Sequence, residues 1–290
     1  MRGVAGEGLG LAAGLGAATC FALSTALTGL SYLEGNAPMT LVVARYLAVV
    51  ALVYPWLLLI GGSLLLPRSA WGLMAGMTAG SLGISYGYMT AIHYLPVSLA
   101  VLIFYTFPLL VTLAESLLRR RPPNLFLLLA LGLGLFGLGL ALGADLSQLD
   151  LVGILFAGLA AFSAVPLFIC ARILAQKHGS LMLTAHSNCC ALIVAVILLM
   201  GQAEIDLPHS TLGWFSLLAA CVTFVAAFIF QVRAVALAPA GRVAMMFNAE
   251  PLITILIAWG LLSQALALPQ WLGLLLILVA LSLAVTSQRR

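Results

Sequence analysis

The 290-residue sequence contains very little charge, since only 7% of its residues are Asp, Glu, Lys or Arg, while 64% are hydrophobic. Soluble domains carry about 25% charged residues, so this composition excludes an ordinary soluble domain and indicates an integral membrane protein. A membrane-spanning helix needs about 20 apolar residues, and the chain has room for about ten of them with short connections. We therefore expect an all-α membrane protein.

Other absences exclude further classes of protein. The basic residues are scattered over loops instead of collecting on one face, so no nucleic-acid partner is expected. All five cysteines lie in apolar runs without ligand spacing, which favours small buried hydrophobes over disulfides or a metal site. A membrane-embedded enzyme would need paired carboxylates, a nucleophile with its base, or a metal site. The sequence contains only eight acidic residues and shows no such cluster, which disfavours an enzyme. We expect no metal and no cofactor.

Turn residues divide the chain into ten apolar runs of about 20 residues each. The N-terminus begins like a signal peptide, but its apolar run continues to about Leu30, which is too long for one. We therefore predict ten transmembrane helices, near residues 8–30, 38–61, 70–92, 97–118, 124–143, 150–174, 180–201, 210–236, 241–263 and 269–287.

The charges in the connecting loops predict the orientation of these helices. Cytoplasmic loops of membrane proteins carry an excess of Lys and Arg. With the N-terminus inside, the outer loops contain no Lys or Arg, so we predict that both termini are cytoplasmic and that the chain lies in the cytoplasmic (inner) membrane. The inner side then holds Arg2, Arg68, Arg119, Arg120, Arg121, Arg172, Lys177, Arg242, Arg289 and Arg290, with Arg233 close by, and the outer loops hold Glu34, Asp145, Asp150, Glu204 and Asp206.

An internal repeat relates the two halves of the sequence. Two prolines of the first half recur in the second half at an offset of 143 residues, and one Phe and one Trp recur at the same offset. Each half holds five predicted helices, an odd number, so the second half must be inverted in the membrane relative to the first. Inverted repeats are typical of transporters, which bind substrate near the midplane between the halves. The alternative is chance similarity between apolar stretches. The matching pairs are Pro96 and Pro239, Pro108 and Pro251, Phe104 and Phe247, and Trp71 and Trp214.

The residues around these prolines carry a resemblance to a known family. YLPVSLAVLIFYTFPLLVTLAE (94–115) and LAPAGRVAMMFNAEPLITILIAWGLL (237–262) resemble the paired fourth and ninth helices of EamA-type members of the drug/metabolite transporter superfamily. PMTLVVAR (38–45) resembles that family's second helix. The resemblance covers the whole chain and implies a first five-helix repeat over residues 1–143 and a second, inverted repeat over 144–290, together forming one integral membrane unit.

The resemblance also implies a function. It implies a secondary active or facilitative transporter of a small polar or amphipathic metabolite, an amino acid or related compound, moved by alternating access and usually exported. The family's cavity is lined mainly by helices one, three, four, six, eight and nine. The sequence departs from the family at Arg121 and Gln264, where members usually carry a Glu. Proton coupling, exchange and facilitated diffusion stay open, as do a monomer and a homodimer. A receptor or scaffold is the other non-enzyme alternative.

Glu250 and the residue after it form an unusual pair within an apolar run. At 1.5 Å per residue, Glu250 lies about 13 Å deep, where a carboxylate must face a cavity, meet a cation or be protonated. Pro251 lacks an N–H, so it should kink the helix and free the carbonyl of Phe247, and Pro108 should do the same in the first repeat. The alternative is that Glu250 is a structural partner that locks helices together.

Arg45 is the obvious candidate cation for Glu250. Arg45 lies about 11 Å from the outer surface of the hydrocarbon core, and Glu250 lies about 13 Å from the inner surface. In a core about 30 Å thick, the two residues are therefore separated by about 6 Å along the membrane normal. We therefore consider a charge pair with a coupling or a structural role. The alternative, that Arg45 snorkels to the surface or binds carbonyls, is equally open.

A set of polar side chains on the predicted cavity helices is the candidate substrate-binding site. Tyr88 and Gln231 are repeat mates on helices three and eight, and aromatic rings with polar tips suit a metabolite that has an apolar and a polar part. Ser and Thr side chains in membrane helices often form hydrogen bonds to the backbone of their own helix, so Ser24 and Thr28 either line the site or only bond their own helix. The candidates are Tyr88, Tyr105, Gln231, Asn248, Glu250, Tyr86, Ser24 and Thr28.

Overall fold

The computed structural model describes residues 2–62, 65–120, 122–143, 147, 149–201, 206–262 and 267–286. Several residues used in the sequence analysis lie outside the described residues, and the predictions that depend on them stay predictions. They are Arg121, Asp145, Glu204, Gln264, Arg289 and Arg290.

Within the described residues, the secondary structure consists of helices. Besides a short 3-10 turn at Arg68–Ala70, the chain forms twelve α-helices. They are α1 (Arg2–Leu33), α2 (Pro38–Leu59), α3 (Trp71–Tyr94), α4 (Val97–Phe104), α5 (Phe107–Leu118), α6 (Leu125–Leu142), α7 (Leu151–Ala175), α8 (Ser180–Met200), α9 (Thr211–Leu237), α10 (Ala240–Met246), α11 (Ala249–Leu262) and α12 (Leu268–Thr286).

Eight stretches of these helices are long and apolar enough to cross a membrane. They do not include α3, whose Gly, Ser, Thr and Tyr residues lower its hydropathy, and α12 contributes a shorter apolar stretch at Leu268–Leu283. The chain is therefore a multi-pass helical membrane protein, while the number of ten crossings stays a prediction. The eight stretches are Gly6–Leu33, Pro38–Leu59, Val97–Leu118, Leu125–Leu142, Leu151–Ala175, Ser180–Met200, Thr211–Leu237 and Ala240–Ile257.

Side chains in the loops cap several of these helices. The first N–H groups of a helix lack partners within it, and Asn, Asp and Ser oxygens can accept hydrogen bonds from them. Asn124 caps α6 by accepting from the N–H of Phe126, Asp150 caps α7 and Ser210 caps α9. Polar loop residues therefore define where these apolar helices begin.

Two of the apolar runs are broken near their middle. The helix over 97–118 is interrupted at Tyr105–Thr106, between α4 and α5, and the helix over 240–262 is interrupted at Phe247–Asn248, between α10 and α11. In each case the break lies directly upstream of a proline, Pro108 or Pro251, which cannot donate the backbone hydrogen bond that would continue the helix. At the repeat offset of 143 residues, the two breaks match to within one residue.

The closest helix pairs each join one helix from either side of residue 143. These pairs are α1 with α9, α3 with α7, α6 with α12 and α2 with α8. Small residues allow the closest approach: a Cβ on Gly80 of α3 would lie 2.6 Å from the carbonyl oxygen of Ser163 and 2.7 Å from the backbone nitrogen of Leu167 on α7. Lipid tails are as apolar as the helix surfaces, so the hydrophobic effect does not drive helices together in a membrane. Close packing of this kind, backbone against backbone, holds them together instead. Both halves of the sequence therefore share one packed unit.

Candidate functional site

The two helix breaks meet in the centre of the bundle. The rings of Phe107, just after the first break, and Phe247, in the second, are 6.3 Å apart and edge to face. Phe104 lies 5.1 Å from Phe107, and Phe168 of α7 lies 5.4 Å from Phe247. Edge-to-face aromatic pairs stabilise contacts beyond the area that they bury, so these four rings hold the two interrupted helices against each other.

Glu250 reaches across from one break to the other. Its carboxylate is close enough to the hydroxyl of Tyr105 to interact with it electrostatically, and Tyr105 lies in the first break and is buried. Glu250 itself is partly buried in the first turn of α11, where the positive end of the helix dipole favours a negative charge. Both residues are site candidates predicted from the sequence, and the structure brings them close to each other.

One expectation about this break is wrong. We expected Pro251 to free the carbonyl of Phe247, but that oxygen accepts a hydrogen bond from the N–H of Glu250 at 2.9 Å. The turn tightens from four to three residues at the break, so the N–H immediately before the proline replaces the one that the proline lacks. Free backbone acceptors at this point are therefore not a feature of the second break.

A cavity of about 70 Å³ lies beside the two breaks. Its volume is several times the roughly 10–15 Å³ that one water molecule needs. Polar groups of Tyr105, Thr106 and Asn248 line it on one side, and leucines of α5 and α6 line it on the other. It therefore offers hydrogen bonds and an apolar wall within the same small volume. The apolar side consists of Leu109, Leu128, Leu131, Gly132 and Leu135.

Tyr88 and Gln231 take different positions relative to this cavity. The ring of Tyr88 lies 5.8 Å from that of Phe104, and its hydroxyl is close enough to Glu250 and Tyr105 to interact with them electrostatically. Gln231 is buried on α9. Neither residue lines the cavity beside the breaks, so a shared pocket for this pair stays a prediction.

Tyr86 does not join the other site candidates. Its side chain is 57% exposed, and its ring contacts that of Phe156 at 6.0 Å. The physical reason is helical geometry: two residues apart on a helix means about 200° of rotation, so Tyr86 and Tyr88 cannot both face the centre. We therefore remove Tyr86 from the proposed pocket.

Arg45, Ser24 and Thr28 form a separate polar group. The Arg45 guanidinium donates hydrogen bonds to the carbonyl and hydroxyl oxygens of Ser24, at 3.2 and 3.0 Å, and to the hydroxyl of Thr28. It also lies over the ring of Phe224, 5.2 Å from its centroid. Ser24 in turn donates to the carbonyl of Ala220 on α9 at 2.9 Å. These two hydroxyls are occupied in fastening α1 to α2 and α9, so they do not serve as free substrate donors.

Arg45 and Glu250 do not form an ion pair in the structure. None of the three ion pairs found among the described residues joins them, although the two charges are close enough to interact electrostatically. Of the two possibilities that the sequence left open, the geometry corresponds to an arginine bound to a carbonyl and hydroxyls. Arg45 and Glu250 are predicted to lie at similar depths, but they do not pair, because Ser24 and Thr28 bind the Arg45 guanidinium at α1.

This geometry predicts that Arg45 and Glu250 are nearly independent energetically. In a double-mutant cycle of Arg45→Gln and Glu250→Gln, we expect a coupling free energy below about 0.5 kcal/mol, the level typical of residues that do not touch. The measurement is the unfolding free energy of the wild type, both single variants and the double variant. A coupling of about 3 kcal/mol, as for a broken buried pair, would contradict the assignment.

A cluster of charges lies at one end of the bundle, and the sequence predicts only the Glu115–Arg119 pair within it. Glu115 accepts from Arg119 at 2.8 Å and from the backbone N–H of Gly241 at 2.8 Å, and it lies 3.6 Å from Arg172. Arg242 pairs with Glu7 of α1 at 2.7 Å. The four-residue spacing of Glu115 and Arg119 indicates a pair within one helix, but no sequence signal indicates the bonds to other helices. This cluster ties together α1, α5, α7 and α10.

Together, the helical bundle, its apolar surfaces and its two interrupted helices define a multi-pass membrane protein with a small polar site at its centre. A family model described as the EamA-like transporter family matches the sequence twice, over residues 8–143 and 151–286. The chain belongs to the EamA-like transporter family, whose members are transporters of the drug/metabolite transporter superfamily.

The comparison with solved structures supports the same fold. A structure described only as "Crystal structure of protein" superposes with a TM-score of 0.83, covers 97% of this chain and 99% of its own, and shares 17% sequence identity. At this identity the likeness shows the fold alone. No curated protein matches the sequence.

Proposed function

We propose that the protein is a secondary active or facilitative transporter of a small polar or amphipathic metabolite, with an amino acid or related compound as the solute and export as the direction. The meeting of the two helix breaks carries the proposal. There, Tyr105, Glu250 and Asn248 place polar groups at or beside a cavity that leucines also line. Such a site suits a solute with a polar head and an apolar part.

Interrupted helices in matching positions also support alternating access. Discontinuous helices at the interface of inverted repeats commonly form the substrate site of transporters, and the breaks give each helix a point at which to bend. We propose that the chain crosses the membrane ten times and that residues 144–290 repeat the fold of 1–143 in inverted orientation. Bending at Tyr105–Thr106 and at Phe247–Asn248 would then open the site to opposite sides in turn.

The site is chemically asymmetric although the scaffold is repeated. The position that matches Glu250 is Phe107, and the position that matches Asn248 is Tyr105. We propose that the single carboxylate binds a proton or a cationic group of the solute during the cycle.

Counterflow in proteoliposomes tests the proposed function. The purified protein is reconstituted with unlabelled amino acids, amines, nucleosides or vitamins inside, and accumulation of the radiolabelled compound is followed. We expect at least one amphipathic or amino-acid-like solute to exchange above protein-free liposomes. If none of these classes exchanges, the proposal of metabolite transport is wrong.

The proposed orientation has its own expected result. With both termini cytoplasmic, the connection that contains Asp206 lies outside and the one that contains Arg119 lies inside, as the distribution of Lys and Arg requires. Single cysteines at these two loops, in a background without other cysteines, should react with an impermeant maleimide from the outside only at the first loop. The reverse labelling pattern would overturn the orientation.

A further inference from the structure

A second and larger cavity lies away from the helix breaks. It has a volume of about 160 Å³ and is enclosed by one face of α5, the start of α6 and the start of α10. It lies at the end of the bundle that we assign to the cytoplasm, next to the charge cluster of Glu115. Side chains that line it include Thr112, Ser116, Arg119, Asn124 and Arg242.

The charges around this cavity favour an anion. Arg119 and Arg242 line it directly, while its one lining carboxylate, Glu115, is engaged with Arg119 and the N–H of Gly241. With Arg172 and Glu7 included, the cluster holds three guanidinium groups against two carboxylates. Both lining arginines are paired, Arg119 with Glu115 and Arg242 with Glu7, so the one net positive charge of these described residues belongs to the cluster beside the cavity as a whole.

Neutral polar groups add to this charge. Ser116, which carries a hydroxyl, and Asn124, which carries an amide, also line the cavity. The side-chain carbonyl oxygen of Asn124 accepts from the N–H of Phe126, and its amide NH₂ is a hydrogen-bond donor. Guanidinium forks with neighbouring hydroxyl and amide donors match the oxygens of a phosphate group.

Exposed leucines lie on α5 and α6, the helices whose other residues line the cavity. Leu117 of α5 is 80% exposed, and Leu113 of α5 and Leu125 and Leu129 of α6 are exposed as well. In a membrane these side chains contact acyl chains. A ligand with a phosphate in the cavity and hydrocarbon along these leucines would match both surfaces at once.

We propose that this cavity binds the phosphate group of an anionic membrane lipid, whose acyl chains lie along the exposed leucines of α5 and α6. Basic pockets between transmembrane helices on the cytoplasmic side bind such head groups in other membrane proteins. The bound phosphate bridges Arg119, at the end of α5, and Arg242, at the start of α10. Since α5 and α10 are segments of the two broken helices, the lipid holds their inner ends together.

Native mass spectrometry of the purified full-length protein tests this proposal. Phosphatidylglycerol and phosphatidylcholine with the same acyl chains are titrated in parallel, and the number of bound lipids is read from the spectra. Both lipids carry the phosphate, but the choline cation of phosphatidylcholine is repelled by Arg119 and Arg242, so we expect phosphatidylglycerol to bind at least about tenfold more tightly. Arg119→Gln and Ser116→Phe should each lower this affinity about tenfold, the first by removing a donor and the second by filling the cavity.

The control variant is Arg120→Gln, which removes the same charge from the next residue without altering the lining of the cavity. Its affinity should stay within about twofold of the wild type, because general surface attraction is weak and screened by salt. Equal losses in Arg119→Gln and Arg120→Gln, or unchanged binding in Ser116→Phe, would overturn the proposed location. Glycerol phosphate that binds as tightly as the lipid would identify a free anion as the ligand and overturn the lipid proposal.

Discussion

Glu250→Gln is expected to insert and fold like the wild type but to lose transport by about 10- to 100-fold, the range that corresponds to one weakened hydrogen bond to a charged group. Gln keeps the shape of the side chain and can still accept a hydrogen bond from Tyr105, but it carries no negative charge and cannot exchange a proton. The measurements are counterflow of the exchanging solute and the melting temperature of the purified variants.

Two tyrosine variants sharpen this test. Tyr105→Phe removes the hydroxyl that interacts with Glu250, and its loss of transport should not add to that of Glu250→Gln, because both changes disrupt one interaction. Tyr86→Phe removes a hydroxyl from an exposed side chain on the opposite face of α3 and should leave transport unchanged. Full transport in Glu250→Gln would show that this carboxylate is only a packing partner between the two broken helices.

Gly80→Ala is expected to destabilise the protein by about 1–3 kcal/mol, the usual cost of forcing extra volume into a packed contact. The added methyl group would lie 2.6 Å from the carbonyl oxygen of Ser163, so α3 and α7 must move apart. Because α3 carries Tyr88 and α7 carries Phe168, the displacement also widens the central site. Thermal unfolding in detergent measures the stability loss, and counterflow measures its effect on transport.

The matched control lies on the same helix. A Cβ on Gly72 of α3 would meet no atom within 4 Å, so Gly72→Ala should be neutral or should stabilise the helix by up to about 1 kcal/mol, the usual difference between Gly and Ala. Equal stability of the Gly80 and Gly72 variants would mean that α3 and α7 are not packed backbone to backbone.

The sequence predicted the helical fold better than it predicted the contacts of individual side chains. Hydrophobic runs and loop charges do not depend on tertiary structure, so the helices could be located to within a few residues. The repeated Pro108 and Pro251 indicated where two helices depart from regular geometry. A proline pattern alone did not show that the turn before Pro251 tightens and uses the carbonyl of Phe247.

The polar contacts were harder to predict, because depth in the membrane says nothing about rotation around a helix axis. Arg45 and Glu250 have similar depths, yet Arg45 is bound to Ser24 and Thr28 on α1. Tyr86 and Tyr88 are close in sequence and face different surroundings. The bonds of Glu115 to Gly241 and Arg172 join residues that are distant in the chain, and a single sequence contains no signal for such distant pairs.

Each of the four closest helix pairs joins a helix of the first half to a helix of the second half. This arrangement has a consequence for biosynthesis. At about 5–20 residues per second, the ribosome needs on the order of 10–40 s to synthesise the stretch between the end of α1 and the start of α9. During this interval α1 lies in the membrane without its main partner, and the carbonyl of Ala220 that Ser24 binds has not yet been made. The helices of the first half therefore remain separable until late in synthesis, and the last segments to leave the ribosome complete the interfaces of the first ones.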